Sequence, residues 1–208
     1  MNVPQLTDER LQALIKKIKS SFEPMYVPVI PEKYAIVNEC FPNVDEKVKK
    51  DGGEIVYGWQ LWKGTLITEA EYHAVWKSPA GELVDITPKQ PPIKEILFIQ
   101  DDNVKYTGVQ IDNIRIRNNN NLDINDYIDV HRALFRLMNK GERAQSYKLS
   151  FTEREMQLYS ALREMAFNLE MFAISEGNLD SQCYCNSGYK YDNCHRNKLE
   201  NMIYESKL

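Results

Sequence analysis

Two groups of residues in this sequence have the types and spacing to do chemistry. The first is Cys183, Cys185, Cys194 and His195, which fall within the thirteen residues of CYCNSGYKYDNCH. Thiolates and imidazole are soft to borderline ligands, and four of them so close together can close around one tetrahedral zinc, with Gly188 permitting a tight turn between the pairs. All four positions would be filled by protein, so the ion would be structural rather than catalytic. A segment this small cannot build a core without its metal. The second group is Cys40, His73 and Asp85, far apart in the chain, and its chemistry depends on whether the fold brings them together.

His73 and Asp85 flank a turn in EAEYHAVWKSPAGELVDITP, residues 69 to 88. Ser78-Pro79-Ala80-Gly81 suits a type I turn, with proline second and glycine in the left-handed position of the following bulge. Such a loop pairs Ser78 with Glu82, so Val75 faces Asp85 and His73 faces Thr87. Side chains alternate along a strand, which puts His73 and Asp85 on one face as diagonal neighbours. A two-residue loop at Pro79-Ala80 would put them on opposite faces.

A carboxylate beside an imidazole orients the ring and stabilises its protonated form, preparing it to take a proton from a nucleophile. Cys40 is the one thiol outside the C-terminal group. If a helix begins near Pro42, Cys40 sits at its N-terminus, where the helix dipole and an imidazolium favour a thiolate. Two other readings stand beside this one. Free cysteine is often simply buried and His73 could be a satisfied sheet histidine; alternatively Glu71, His73 and Asp85 could hold a metal ion.

The elements that must position these residues are legible in outline. Thr7 can cap a first helix with Leu11, Leu14, Ile15 and Ile18 as its apolar stripe. The segments EIVYGWQLW, EAEYHAVW and ELVDITP are rich in β-branched and aromatic residues and predict strands, with ILFIQ and VQIDNIRI as a fourth and fifth. Trp59, Trp62 and Trp76 belong to the core of this sheet. Beyond the asparagine run at 118 to 121, the pattern turns helical. Asp123 can cap a helix reaching about Lys140, with His131 on its surface or between helices and Gly141 ending it. Thr152 with Glu155 is a capping box that opens a long helix ending before Gly177. These expectations divide the chain into an α+β domain over 1–122, a helical segment over 123–178 and a zinc knuckle over 179–200.

The C-terminal stretch resembles the SEC-C motif, a short zinc-binding element found at the end of the preprotein translocase motor SecA and of many other bacterial proteins. The residues that carry the resemblance are Cys183, Cys185, Ser187, Gly188, Lys190, Tyr191, Cys194 and His195. It implies one structural zinc and a docking role toward a protein partner, with contact to a chaperone or the ribosome as in SecA. No Walker-type glycine loop accompanies it. The order Cys40, then His73 in HAVW, then Asp85 in VDITP resembles the transglutaminase-like branch of the papain-like enzymes. That resemblance implies a cysteine nucleophile forming an acyl-enzyme, a histidine base and an aspartate that orients it, acting on an amide or related acyl bond.

Composition sets the outer bounds. A chain of 208 residues with 43% hydrophobic content can bury a real core. Its net charge of -4 argues against a broad electrostatic grip on nucleic acid. The N-terminal residues mix charge with apolar positions at helical spacing and contain no apolar run that would span a bilayer, so the expectation is a soluble, cytoplasmic protein without membrane contact. The fold class expected is α+β: a small antiparallel sheet with N-terminal helices, a helical C-terminal part and a terminal zinc knuckle. The functions that follow are a thiol enzyme with a zinc-stabilised tail or, in its place, a zinc-binding adaptor without catalysis.

Overall fold

The computed structural model describes residues 1–146 and 149–208, and the chain forms two compact units. The first holds residues 1–64, 68–107 and 113–115; the second holds 65–67, 108–112 and 116–208.

In the first unit, α1 (Glu9–Ile18) is capped by Asp8, not by Thr7 as expected, its carboxylate accepting from the backbone amides of Arg10 and Leu11. A carboxylate one residue later in the chain can reach these amides and also complements the positive helix end. Leu11, Leu14 and Ile18 are its buried stripe. The sheet is antiparallel and runs β1 (Met25–Pro28), β5 (Glu95–Gln100), β2 (Glu54–Lys63), β3 (Ile67–Lys77), β4 (Leu83–Val84), with β6 (Ile114–Arg117) pairing to β3. Helix α2 (Cys40–Asp51) precedes β2.

The turn between β3 and β4 has the expected form. Ser78 and Glu82 are joined by a backbone hydrogen bond, the Gly81 amide donates back to Ser78, and Gly81 is left-handed at φ 90°. Trp76 accordingly pairs with Val84 and Lys77 with Leu83. The strand expected through ELVDITP ends early, however, at Val84. At Asp85 the chain parts from β3 and its backbone pairs instead beside the end of β1, the Asp85 amide donating to Pro28 and its carbonyl accepting from Ile30, while its carboxylate accepts from the Thr87 amide at 2.9 Å in an Asx-type turn. The fifth expected strand is also short: its four residues, Ile114–Arg117, take in only the last three of VQIDNIRI.

Alternation along β3 sorts the sheet into two faces. His73 and Val75 lie with Val56, Phe98, Ile96 and Val27, a buried apolar cluster. Tyr72 and Ala74 point the other way, together with Tyr57 and Trp59. Opposite His73 stands Gly58, and there glycine has a spatial reason: a β-carbon would come within 2.2 Å of the Ile99 carbonyl and 2.7 Å of the Phe98 ring.

The second unit contains α3 (Asp123–Met138), α4 (Glu153–Ile174) and α5 (His195–Glu205). Asp123 does not cap α3 but is its first residue; Leu122 takes the cap position with helical dihedrals. The Thr152–Glu155 capping box is formed in full. Gly141 does not end α3, which stops at Met138; it opens a short 3-10 turn with φ 58°. Helix α5 had no counterpart in the sequence reading. A single buried cluster runs from Ile124, Ile128 and Leu134 of α3 through Leu162, Leu169 and Phe172 of α4 to Cys183, Tyr191 and Leu199. Helical segment and knuckle therefore share one core.

Because the space beside Gly58 is already filled by backbone and ring, Gly58→Ala is expected to destabilise the protein by about 2–3 kcal/mol in chemical denaturation. A loss below about 0.5 kcal/mol would mean that β5 yields without cost.

Candidate functional site

In the second unit the four expected ligands converge. Their donor atoms all lie within 4.8 Å of one another, and no other such group of three or more occurs among the described residues. Cys183 Sγ is 3.1 Å and Cys194 Sγ 3.5 Å from His195 Nδ1, while Cys185 and Cys194 sulfurs are 3.6 Å apart. A tetrahedron with metal–sulfur bonds of about 2.3 Å has edges of roughly 3.5–3.8 Å, so this group could hold one metal ion with little rearrangement.

Local structure explains the convergence. The Cys183 amide donates to the Tyr189 carbonyl, Gln182 bridges to Lys190, and left-handed Asn186 and Gly188 fold the loop between. Tyr191 and then α5 bring in Cys194 and His195. Burial pushes the Cys183 thiol up, while Cys185 is lowered to about 7, chiefly by the Ser187 hydroxyl. Burial also pushes His195 down, toward the neutral form that a ligand requires.

The aromatic residues around the knuckle fix it to the helices. Tyr184 lies against the His195 ring at 4.5 Å and donates its hydroxyl to Met165. Tyr191 is fully buried, packs on Phe172, and donates to Asp126 of α3, which Arg196 also approaches at 3.3 Å. Of the SEC-C-like residues, Lys190 reaches only a surface ion pair with Asp180. Tyr191, with the buried Cys183, thus joins motif and core.

In the first unit, His73 and Asp85 meet as their register requires. His73 Nε2 lies 2.9 Å from Asp85 Oδ2, with both side chains buried. Nδ1 makes no hydrogen bond among the described residues. Burial alone would push the imidazole pKa down; the Asp85 carboxylate, aided by the charge of Cys40 and opposed by Lys89, outweighs this and raises it to about 9. Burial likewise opposes ionisation of Asp85, yet His73 and Lys89 together hold it at about 2. The pair is an imidazolium and a carboxylate at neutral pH.

Cys40 begins α2 itself, two residues before the start expected at Pro42, and is buried. No hydrogen bond joins its thiol to His73. Phe41, the next residue, packs on Tyr72 and Tyr57, the face opposite His73. The link runs through Asn43, one turn along α2. Its amide accepts from and donates to Ile36 and also donates to Thr87 Oγ1 at 3.3 Å, beside the turn that Asp85 caps. Helix start and aspartate turn are tied together.

Glu71 takes no part in a metal group: its carboxylate accepts from Trp62 Nε1. Glu69 pairs with Arg115 at 3.0 Å. His131 stacks edge-on against Tyr127 within α3. Two residues absent from the sequence reading complete the site. Lys89 lies 2.8 Å from Asp85 Oδ2 and 2.8 Å from Gln60 Oε1. Lys89 stands four residues past Asp85, but only the turn at Thr87 brings it back.

The chain matches no family model, no curated protein and no solved structure. No helix among the described residues is long and apolar enough to cross a membrane.

Since folded His73 holds its proton more tightly than an unfolded histidine, the pair stabilises the fold below about pH 6.5, and that contribution disappears as pH rises through about 9. Denaturation of metal-replete protein should show this as a loss on the order of 3 kcal/mol between those limits, absent in His73→Gln. Identical pH profiles for the two proteins would show that the pair is not linked to folding.

Proposed function

We propose that the protein is a thiol enzyme of the transglutaminase-like type, acting on an amide or related acyl bond. The observation that carries this reading is the buried His73–Asp85 pair, bound through Nε2, which leaves Nδ1 to serve a nucleophile. Cys40 is the thiol whose charge acts on that ring, and it opens a helix with no side-chain cap. Its thiolate would attack the carbonyl carbon, forming a carbon–sulfur bond, and the His73 imidazolium would give its proton to the departing amine. Water or a second amine would then break the carbon–sulfur bond while passing a proton to Nδ1. The thiol must approach Nδ1 as substrate binds, since catalytic hydrogen bonds commonly tighten only in the complex.

In this reading the C-terminal cluster holds zinc, because three thiolates and an imidazole in a closed tetrahedral group suit that ion and leave no position for water. The knuckle then serves the protein by ordering its C-terminal core and presenting a docking face to a protein partner. Free thiols suit the reducing cytoplasm. A second reading, a zinc-dependent adaptor without catalysis, is favoured by one observation: Cys40, His73 and Asp85 are all at most 6% exposed. Under it the buried triad only supports the sheet.

An acylating thiol probe separates the two. The enzyme reading expects labelling that vanishes in Cys40→Ser and falls at least tenfold in His73→Ala, with Cys183, Cys185 and Cys194 protected by metal. Labelling no faster than that of a free thiol peptide, unaffected by His73→Ala, would leave the adaptor. For the metal, about one zinc per chain is expected, and its removal by a chelator should unfold the second unit, read as loss of the near-UV signal of Tyr184 and Tyr191. Protein that keeps this signal with no metal bound would overturn the zinc assignment.

A further inference from the structure

We propose that Lys89 is the positioning residue of the His73–Asp85 site: its ammonium ties Asp85 to Gln60 and fixes the carboxylate that orients the His73 ring. The inference rests on the thiol reading only in taking this pair as the base of that site.

The geometry is that of a clamp. Lys89 Nζ lies 2.8 Å from Asp85 Oδ2, 2.8 Å from Gln60 Oε1 and 3.3 Å from His73 Nε2, and its side chain is 11% exposed. An ammonium can only donate, so the side of the Gln60 amide that faces it must be the oxygen. The orientation of that amide is thereby fixed, and its Nε2 is left buried with no partner. Asp85 Oδ2 is in turn shared by two donors, the lysine and the imidazolium. Oδ1 accepts from the Thr87 amide. The aspartate therefore has a bond on each oxygen and cannot rotate without breaking a charge-assisted one.

The charges do not cancel. One carboxylate faces two cations in surroundings that otherwise offer Gln60 from β2, Phe98 from β5 and Val75 from β3. Cys40, from α2, also acts electrostatically on His73. An uncompensated buried charge is costly, so removal of the Lys89 cation should be felt in the titration of His73. A lysine confined to packing would serve as well with its charge removed; a positioning lysine would not.

The test uses full-length, zinc-replete protein as wild type, Lys89→Met and Lys89→Arg, with folding checked by circular dichroism and metal content. His73 is followed by NMR titration, and Cys40 by its rate of alkylation with iodoacetamide at pH 7. In Lys89→Met the His73 titration should move upward by about one pH unit, because a repelling cation is gone. Lys89→Arg should keep it near the wild-type value. An unchanged His73 titration in a folded Lys89→Met protein, or the same shift in Lys89→Arg, would overturn the proposal.

Should Lys89→Met fail to fold, wild type still decides. A lysine held by Asp85 and Gln60 exchanges its ammonium protons slowly and gives a resolved Nζ signal at pH 7, whereas a fast-exchanging Lys89 would overturn the clamp. If wild-type Cys40 alkylates no faster than a free thiol, the thiol reading fails by itself, and the His73 titration still decides the role of Lys89.

Discussion

Asp85 has no exposed surface, and a carboxylate in that position would give up its charge unless cations met it inside the fold. Much of the first unit can be understood as the means of meeting that condition. The Pro-Ala-Gly turn sets the register that brings His73 to one oxygen, and the bend after Val84 returns Lys89 to the same oxygen. The Thr87 amide takes the other. Gly58 leaves room for the Phe98 ring, which closes over the pair from the next strands. Breaking one partner would strand a buried charge, which is why so many local choices agree around one residue.

How far the sequence revealed this depended on the range of the interaction. The turn was legible because its chemistry is contained in four adjacent residues, and from it the common face of His73 and Asp85 followed by alternation alone. The capping box at Thr152 and Glu155 was legible for the same reason. Lys89 and Gln60 were not. One follows the point where the chain leaves β3 to pair beside β1, and the other is placed by its register on a neighbouring strand. Neither effect leaves a periodic trace. The helix starts at Cys40 and Asp123 were each misplaced by a residue or two, since a cap is decided by which side chain reaches which amide.

The second unit depends on a different economy of forces. Its motif residues were recognised by spacing, yet spacing does not say which of them support the knuckle from below. The structure gives that part to Tyr191 and Tyr184, whose rings fill the space between the ligands and α4 while their hydroxyls reach Asp126 and Met165. The buried Asp126 is held by Tyr191 and Arg196, residues on either side of Cys194 and His195. Ordering the ligands and ordering the core are consequently one event, and a metal that fixes the first contributes to the second.

The two sites illustrate what a cysteine can be asked to do by its surroundings. At the knuckle, sulfurs stand 3.1–3.6 Å from their fellow ligands, so a cation among them would satisfy every donor and leave no reactivity. At Cys40 the cations are on other side chains, and none of them touches the sulfur. Under the proposed thiol reading, Cys40 would have its sulfur free of any ligand and so available for attack. Asn43 holds the helix that Cys40 opens beside the Asp85 turn. Freedom from direct ligation is the condition that reading asks of a nucleophile. It would also require the sulfur to approach the His73 ring, because the neighbouring Phe41 packs on the face of the sheet opposite His73.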